Sequence, residues 1–537
     1  MTWNISEAVY QLAHSEMGDR PALIHGDDII SYRSLSERAS GIASWLQSLQ
    51  LSKGAHVGHY MRNSNAYMET MTAAGLAGMT HVNVNYRYVE QELIDLCDTL
   101  DIQVLVYDTE FAERVANIKD RLTKTTAFLE AGTDTPTNSF AHSLTQLYTH
   151  DVSGFERSCS NDDIIIIATG GTTGLPKGVM WRHEDIWRKQ NLSTANAMLA
   201  LDLKEHPATI EEHVANVLKL PPAKPFMPLS PLMHGAGMLM SILMIAQGIP
   251  VITVPGRKLE ADLTLDMIKQ YEVGGMALVG DAFAMPLIEC MDRRADDQLM
   301  SGVAMLVSTG ASLSEDSVAS LRQHAPNMFL MDTLGSSEAS GYAVSTAAPG
   351  VFSPLPTTCV LDDQMQEVAA GSDTIGIAYS GGYIPMGYYN QPEKSAETFV
   401  THDGNRYVMT GDRCTVSEDG MLVLLGRDSN VINSGGEKVY TVEVERALLT
   451  HPSISDALVV GLPHPRFGKM VVAVVEGPML TQDTLDIADV QKHVSDQLAD
   501  YKIPRSIYAI DAMKRADNGK ADYRYVTEFA EKMAARD

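Results

Sequence analysis

The segment TGGTTGLPKGV, residues 169–179, gathers glycines, threonines and one lysine directly after the apolar run IIIIAT at 164–169. Glycine lets the backbone turn sharply and approach a ligand closely, threonine hydroxyls are neutral donors, and the Lys177 ammonium adds positive charge. These groups suit the oxygen atoms of a phosphate. The segment therefore predicts a phosphate-binding loop after a buried strand, with a ligand-free, glycine-rich surface turn as the alternative.

The spacing of this loop differs from that of the P-loop found in many kinases and ATPases. The P-loop pattern is G-x-x-x-x-G-K-[ST], which places its lysine at the start of a helix. Here Pro176 precedes Lys177 and Gly178 follows it. The pattern is not met, so P-loop nucleotide chemistry is disfavoured.

Six further segments carry small, polar and charged residues, in this order: PLMHGAG (231–237), STGASLS (308–314), DTLGSSEAS (332–340), YVMTGD (407–412), GRDSNVINSGGEKVY (426–440) and NGKADYR (518–524). With TGGTTGLPKGV, they closely resemble the motifs of the adenylate-forming (AMP-binding) superfamily, which includes acyl-CoA synthetases, luciferases and peptide-synthetase adenylation domains. The resemblance covers almost the whole chain. The phrases GVMWRHEDI, VGDAFAMPL and INSGGEKVY are most similar to bacterial acyl-CoA synthetases for fatty acids or steroid side-chain acids.

The resemblance implies a reaction in two halves that uses ATP, Mg²⁺ and CoA. A carboxylate first attacks ATP to give an acyl-adenylate and pyrophosphate, and a thiol then displaces AMP. Because the carboxylate and the nucleotide are both negatively charged, the site must supply cations and hydrogen-bond donors.

The resemblance also assigns residues to the nucleotide. It implies contacts to ATP or AMP from Thr169, Gly170, Gly171, Thr172, Thr173, Gly174, Lys177, Gly310, Ala311, Ser312, Asp332, Thr333, Leu334, Gly335, Ser336, Ser337, Asp412, Arg427 and Lys520. Asp412 and Arg427 match the positions that hold the ribose, although each alone is equally consistent with a helix cap or a surface ion pair. Thr173 and Glu338 match the positions that bind Mg²⁺, which prefers oxygen ligands.

Two residues match positions next to the reacting groups. Lys520, in NGKADYR, matches the lysine that bridges the carboxylate and the α-phosphate; the alternative is an ordinary exposed lysine. His234, in PLMHGAG, matches a histidine beside the substrate carboxylate; the alternative is a buried core histidine. Peptide-synthetase adenylation domains carry an aspartate nearby, and its absence here favours a plain carboxylic acid substrate.

The C-terminal motifs resemble the part of the family that receives CoA. Ser434, Gly435, Gly436 and Glu437 match the loop that meets the pantetheine arm. Relatives rotate the small domain between half-reactions about a pivot, commonly aspartate or lysine, where this chain has Ser429 beside Asp428. No carrier-protein domain follows, so free CoA is the expected acceptor.

The length and the apolar runs predict the architecture. A chain of 537 residues exceeds the roughly 250 to 300 residues that one core supports. Apolar runs at 104–108, 164–169, 250–254 and 304–309 alternate with helical stretches and suit strands covered on both faces. We predict an α/β protein with a large N-terminal domain of mixed or parallel sheets, 1–427, and a small mobile α/β domain, 428–537.

The uncharged stretch at 235–254 is nearly long enough to span a bilayer. Because Gln247, Gly248 and Pro250 interrupt it, we predict a buried helix, a turn and a core strand instead. Eleven of the 29 methionines lie between Met227 and Met305; they favour an apolar substrate, or equally a methionine-filled core.

Composition narrows the partners and the compartment. The net charge of −27 opposes binding to nucleic acid or to an anionic membrane. Five cysteines without metal-ligand spacing, and an N-terminus without a signal-peptide core, predict a cytoplasmic protein without structural zinc. A homodimer is left open.

Three functions remain in competition at this point. The first is an AMP-forming acyl-CoA synthetase for an apolar acid. The second is an adenylate-forming enzyme that passes its acyl group to a carrier protein or another acceptor. The third is a catalytically silent nucleotide-binding paralogue, which the three charges of Lys177, Glu338 and Lys520 argue against, because folding does not require them together.

Overall fold

The computed structural model describes residues 3–169, 176–190, 207–294, 298–311, 313–345, 350–427, 431–434, 437–464, 468–498, 500–515 and 521–536. The chain divides into two compact units: the first unit comprises 1–346 with 380–408, and the second comprises 347–379 with 409–537. Each unit has its own hydrophobic core.

The strands are, in chain order, β1 (Pro21–His25), β2 (Asp28–Ser31), β3 (His56–Tyr60), β4 (Thr80–Asn83), β5 (Ile102–Asp108), β6 (Ala127–Ala131), β7 (His142–Ser143), β8 (Ile164–Thr169), β9 (Lys177–Arg182), β10 (Phe226–Pro228), β11 (Val251–Thr253), β12 (Gly275–Leu278), β13 (Met305–Thr309), β14 (Phe329–Ser336), β15 (Ser340–Ser345), β16 (Val351–Pro354), β17 (Thr358–Leu361), β18 (Ser372–Ser380), β19 (Gly387–Tyr388), β20 (Phe399–His402), β21 (Asn405–Val416), β22 (Leu422–Arg427), β23 (Val431–Ser434), β24 (Glu437–Tyr440), β25 (Asp456–His464), β26 (Gly468–Glu476) and β27 (Ser506–Ala509).

The α-helices are α1 (Ile5–Ala13), α2 (Tyr32–Ser48), α3 (Asn65–Leu76), α4 (Glu90–Thr99), α5 (Ala112–Ile118), α6 (Leu144–Leu147), α7 (His183–Gln190), α8 (Ile210–Val217), α9 (Gly235–Ala246), α10 (Ala261–Gln270), α11 (Gly280–Arg293), α12 (Glu315–His324), α13 (Pro392–Thr398), α14 (Thr441–Leu449), α15 (Ile487–Ser495) and α16 (Tyr523–Ala534). In the described part of the chain, no helix is long and apolar enough to cross a membrane.

One sheet of the first unit has the order β19-β9-β8-β4-β3-β5-β6-β7. The strands from β8 to β7 are mutually parallel, as their apolar runs predict. At the other edge, β9 runs antiparallel to β8, and β19 runs antiparallel to β9. The loop after β8 therefore returns directly to the same sheet.

The other sheet of the first unit has the order β15-β14-β13-β12-β10-β11-β1-β2. The strands from β14 to β1 pair in parallel, whereas β15 is antiparallel to β14 and β2 is antiparallel to β1. The β1–β2 hairpin turns at 26–27. Parallel strands place their carboxyl ends at one edge, which is where ligands bind in open α/β sheets.

The stretch at 235–254 forms α9, a turn and β11, so the predicted helix, turn and core strand are confirmed. Every residue of α9 from Gly237 to Ala246 is buried. A helix that is apolar on all sides is stable in water only when other elements cover it. Here α9 packs against α1 and the neighbouring strands of the first unit.

The second unit contains a sheet of β17, β18, β21, β22 and β16, and a smaller sheet of β24, β23, β26 and β25 with β27 alongside β26. The apolar segments at 457–462 and 470–476 lie in β25 and β26. Alternate residues of β26 face opposite ways: Val471 and Val475 pack with α14 and α15, whereas Val472 and Val474 pack with α16. Helices therefore cover both faces, which explains the continuous valine run.

Among the buried histidines of the first unit are His59, His81 and His183. The ring centroids of His59 and His81 lie 4.3 Å apart. Burial lowers the pKa of His59 and of His183 to about 4 and lowers the pKa of His81 well below its ordinary value. These rings are therefore neutral at neutral pH.

This burial predicts acid sensitivity. Because the folded-state pKa of His59 lies below its unfolded value of about 6.5, its stabilising contribution is complete above pH 6.5 and is lost as the pH falls towards 4, by about 3 kcal/mol in all. Urea unfolding at pH 7, 6 and 5 should show a shallower pH dependence in His59→Gln than in the wild type. Substitution of the exposed His142 by Gln should leave the slope unchanged; equal slopes in all three proteins would contradict the prediction.

Candidate active site

The predicted phosphate loop is closed at its base by a strand pair. Thr169 ends β8, Lys177 begins β9, and the two residues are directly opposite in the antiparallel register. Gly170, Gly171, Thr172, Thr173 and Gly174 lie outside the described residues. The strand register thus brings the two ends of the loop together and places Lys177 at its exit.

Lys177 and Glu338, which the sequence assigns to different ligands, meet the same tyrosine. The Lys177 ammonium lies 4.9 Å from the centre of the Tyr388 ring. The Tyr388 hydroxyl donates a hydrogen bond of 2.8 Å to Glu338 Oε1. Burial, with the nearby Glu338 charge, raises the pKa of Tyr388, so this hydroxyl stays protonated and acts as a donor. A cation and a carboxylate are thereby gathered near the exit of the loop.

The turn that carries Glu338 joins β14 to β15 and is tightly built. A Cβ at Gly335 would lie 2.5 Å from the Ser340 carbonyl oxygen, so only glycine fits there. The Ser336 hydroxyl accepts a hydrogen bond of 3.1 Å from the Ala339 N–H. The Trp181 Nε1–H donates a 2.8 Å bond to the Ser337 carbonyl, which connects β9 to this turn.

Two segments that the resemblance assigns to the nucleotide, after β13 and in β14, lie at adjacent strand ends. Ser308 and Thr309 of β13 are opposite Asp332 and Thr333 of β14, and the Thr309 hydroxyl donates a 3.3 Å bond to the Thr333 carbonyl. Gly310 follows β13 with φ of 88°. Leu334 continues β14 and Ala311 follows Gly310, whereas Ser312 lies outside the described residues.

Asp332 lies in a low-dielectric environment. Burial, together with the nearby Asp281 carboxylate, raises the pKa of Asp332 to about 7. Near neutral pH this carboxyl group is therefore partly protonated and able to donate as well as accept a hydrogen bond.

His234 immediately precedes α9. Its backbone is extended, and its N–H donates a 3.0 Å bond to the Pro231 carbonyl. A Cβ at Gly237 would lie 2.5 Å from the Ser230 carbonyl oxygen, so the first turn of α9 packs closely on the preceding segment. The N-terminus of a helix carries partial positive charge, which suits a carboxylate near His234.

Asn83 connects the His234 segment to the phosphate-loop strand. Its side chain is buried at the end of β4. Asn83 Oδ1 accepts a 2.7 Å bond from the Ala168 N–H, and Asn83 Nδ2 donates to the Met233 carbonyl. One amide group therefore fixes both the residue before Thr169 and the residue before His234.

In the second unit, the predicted ribose residues are adjacent. Asp412 of β21 and Arg427 of β22 are opposite in the antiparallel register, and Arg427 Nε lies 3.0 Å from Asp412 Oδ1. The Thr410 hydroxyl accepts a 3.1 Å bond from the Asp412 N–H, which fixes the backbone at this carboxylate. Two residues 15 positions apart in the chain thus form a joined acceptor and donor pair.

The predicted CoA loop lies at a hairpin of the second unit. Ser434 ends β23, opposite Glu437, which begins β24. Gly435 and Gly436 between them, and the predicted hinge residues Asp428 and Ser429, lie outside the described residues.

Lys520 also lies outside the described residues, but the chain on either side of it is held in place. Arg515 pairs with Ala521 in an antiparallel bridge. Arg515 Nη2 lies 2.7 Å from both carboxylate oxygens of Asp456. Beyond the bridge, the Tyr523 hydroxyl donates a 2.9 Å bond to the buried Glu445. Hydrogen bonds therefore anchor the residues before and after Lys520 to the second unit.

The described residues are compatible with a magnesium ion held by few protein ligands. They contain no group of three histidine, cysteine or carboxylate side chains that would hold a metal ion. Mg²⁺ in nucleotide sites commonly uses one or two carboxylate or hydroxyl ligands together with phosphate and water. Glu338 offers an oxygen, Oε2, with no hydrogen-bond partner among the described residues, while Tyr388 holds the other.

Three structural contributors were not identified from the sequence: Tyr388, Trp181 and Asn83. Tyr388 lies in MGYYNQPE, where a tandem tyrosine before a proline is only a weak signal. Trp181 and Asn83 belong to short apolar strands and resemble ordinary core residues. Each contacts a motif distant from it in sequence, which no local pattern reveals.

Two family models and several known proteins match the sequence of this chain. The family model described as AMP-binding enzyme matches residues 11–389, and the model described as AMP-binding enzyme C-terminal domain matches residues 443–520. A medium/long-chain-fatty-acid–CoA/3-oxocholest-4-en-26-oate–CoA ligase of Mycolicibacterium smegmatis is 37% identical over 551 residues, covering 100% of this chain and 98% of that protein. A 3-oxocholest-4-en-26-oate–CoA ligase of Rhodococcus rhodochrous is 34% identical over 544 residues, covering 98% and 96%.

Solved structures share the fold. The structure of an anthranilate CoA ligase in complex with anthranoyl-AMP matches with a TM-score of 0.83 at 21% identity, covering 100% of this chain and 98% of that one. ATP-bound MatB from Rhodopseudomonas palustris matches with a TM-score of 0.81 at 23% identity, covering 99% and 100%.

The Asn83 contacts generate a prediction. Asn83→Ala leaves a half-buried N–H at Ala168 and a buried carbonyl at Met233 without this partner, so we expect the free energy of unfolding to fall by about 1–3 kcal/mol. Because both motif segments lose their common anchor, the KM for ATP should also rise. Asn138→Ala, which removes a 2.9 Å bond to the Ala112 carbonyl outside the motifs, should lower stability without changing that KM. An unchanged KM in Asn83→Ala would refute the positioning role.

Proposed function

We propose, from the premise that this chain belongs to the AMP-binding enzyme family, that it is an AMP-forming acid–CoA ligase that activates an apolar carboxylic acid. The observation that carries the proposal is the full-length match, at 37% identity, to a ligase named for fatty and steroid side-chain acids. The gathering of Lys177, Tyr388 and Glu338 in the first unit supports it, because a silent protein has no need of such charges.

In the first half-reaction, a carboxylate oxygen of the acid attacks the α-phosphorus of ATP, and pyrophosphate leaves. Thr169 and Lys177, with the glycines and threonines between them, bind the β- and γ-phosphates and the departing pyrophosphate. Lys520 bridges the carboxylate and the α-phosphate as charge develops. In the second half-reaction, the thiol sulfur of CoA attacks the acyl carbonyl carbon, and AMP leaves.

The remaining nucleotide contacts are assigned by motif position. Asp412 accepts hydrogen bonds from the ribose hydroxyls, and Arg427 adds donors beside it. Residues 308–312 and 332–336 match the family segments that flank the adenine and reach the α-phosphate. Mg²⁺, held by Glu338 and Thr173, supplies positive charge to the phosphate oxygens when bound.

The proposed acid is apolar because the helix after His234 offers an apolar environment. In α9, Met238, Met240 and Met244 are buried with their neighbours, and the helix contains no charged residue. His234 and the start of α9 suit the carboxylate, and the apolar surroundings suit a medium or long fatty chain or a steroid side chain.

The acceptor is free CoA. Ser434, Gly435, Gly436 and Glu437 form the loop for the pantetheine arm, and residues 428–537 rotate about Asp428–Ser429 between the half-reactions. The five cysteines form no disulfide in the structure, and their pattern fits a cytoplasmic enzyme.

The role of Lys520 can be tested by separating the half-reactions. Lys520→Ala should lower acyl-adenylate formation by about 100-fold or more, because the charge that bridges carboxylate and phosphate is lost. Thioester formation from preformed acyl-adenylate and CoA should largely survive. Lys514→Ala, which removes an exposed lysine six residues earlier, is the matched control and should change neither half. Equal loss in both halves for Lys520→Ala would refute the assignment.

The substrate class is tested by turnover across acids. The purified protein is supplied with ATP, Mg²⁺ and CoA, and with acetate, C8, C12 and C16 fatty acids, benzoate or a steroid side-chain acid. We expect AMP and acyl-CoA to form together with the apolar aliphatic or steroid acids and not with acetate. AMP release that does not depend on CoA would contradict the ligase proposal. Preference for acetate or benzoate would contradict the proposal that the acid is a fatty or steroid side-chain acid.

A further inference from the structure

Tyr388 contacts two charged residues of the first unit that the proposed reaction uses, Lys177 and Glu338. Its hydroxyl donates a 2.8 Å hydrogen bond to Glu338 Oε1, and its ring face lies 4.9 Å from the Lys177 ammonium. Both contacts have favourable chemistry: a hydroxyl donating to a carboxylate and a cation over an aromatic face. Lys177 and Glu338 therefore each have a direct contact with the same side chain.

The tyrosine is held rigidly enough to define these positions. It lies in β19, opposite Val179 of β9, and only 4% of its surface is exposed. Its N–H donates a 2.9 Å bond to the Ser395 hydroxyl, and its ring packs edge-on against Phe399 at 5.6 Å between centroids. The strand pairing and the hydrogen bond to Ser395 fix the backbone of Tyr388, and Phe399 restricts rotation of its ring.

Lys177 contacts the neutral tyrosine ring, and Glu338 contacts the hydroxyl of the same side chain. An ammonium and a carboxylate left close together would pair, and each would then be less available to a ligand. The tyrosine gives each charged group a separate partner: the ring for the cation and the hydroxyl for one carboxylate oxygen. Lys177 and the second oxygen of Glu338 then face a ligand as separate groups.

We infer that Tyr388 is a positioning residue for nucleotide activation: its hydroxyl aims the Glu338 carboxylate at the metal that accompanies ATP, and its ring keeps the Lys177 ammonium apart from that carboxylate for the phosphates. The inference rests on the proposed function. Tyr388 touches neither substrate nor metal in this role and acts only through its two neighbours.

The test measures metal binding without turnover. Mn²⁺, as a spectroscopic probe for Mg²⁺, is titrated into the full-length protein with a non-hydrolysable ATP analogue, and bound Mn²⁺ is followed by electron paramagnetic resonance. Tyr388→Phe keeps the ring and removes the hydroxyl, so the Kd for Mn²⁺ should rise by roughly three- to tenfold, while analogue binding without metal changes little. Tyr388→Leu removes the ring as well and should also weaken metal-free analogue binding.

The chain offers a matched control in the next residue. The Tyr389 hydroxyl donates a 2.8 Å bond to Asp101 Oδ2, a carboxylate outside the motifs, so Tyr389→Phe removes the same kind of bond elsewhere. It should leave both affinities at wild-type values. In a Glu338→Gln background, the effect of Tyr388→Phe on Mn²⁺ should disappear, because the carboxylate that it positions is gone.

The outcomes distinguish a failure of the Tyr388 inference from a failure of the proposed function. Wild-type protein that binds Mn²⁺ with the analogue, together with an unchanged Kd in Tyr388→Phe, overturns the inference alone. A wild-type protein that does not bind the analogue overturns the proposed function. Equal losses in Tyr388→Phe and Tyr389→Phe, or a loss that persists in the Glu338→Gln background, show a general structural effect and also overturn the positioning role.

Discussion

The antiparallel pairing of β8 with β9 is the constraint on which the arrangement of the first unit depends. It places Thr169 opposite Lys177 and so closes the phosphate loop at its base. The same strand, β9, pairs with β19, which brings Tyr388 to Lys177, and it carries Trp181, whose indole N–H holds the Ser337 carbonyl. A single strand therefore connects the loop with the turn that carries Glu338.

A protein with a net charge of −27 must concentrate donors locally to bind a nucleotide. It does so with few residues. Lys177 rests on an aromatic face, Asn83 fixes two motif segments through one amide, and Arg427 lies beside Asp412 on a neighbouring strand of the second unit. Neutral side chains such as Tyr388 and Asn83 position the charged residues and the motif segments. Fewer charged groups then have to be buried, and each buried charge needs a partner to offset its loss of hydration.

Local patterns in the sequence predict most of the scaffold. Continuous apolar runs identify β5, β8 and β13 because strands covered on both faces lack a polar side. Gln247, Gly248 and Pro250 correctly divide the long apolar stretch into α9 and β11. The return of β9 against β8 was not predicted, since its residues show no signal for strand direction.

The site was predicted by motif resemblance rather than by geometry. Motifs name Lys177 and Glu338, yet nothing local indicates that Tyr388, 50 residues beyond Glu338, joins them. Asn83 and Ala168 are likewise 85 residues apart. Hydrogen bonds between distant segments depend on the order and register of the strands. The hydrophobic periodicity of the sequence predicts the type of each element but not its neighbours in a sheet.

The most direct test of the account is acid-dependent exchange of labelled pyrophosphate into ATP, measured without CoA. Formation of an enzyme-bound acyl-adenylate is reversible, so a C12 fatty acid or a steroid side-chain acid should drive exchange, and omission of the acid should abolish it. Added CoA should then convert the exchange into net release of AMP. If ATP and the acids bind but no acid in the series supports exchange, the chain does not form an acyl-adenylate, and the account is wrong.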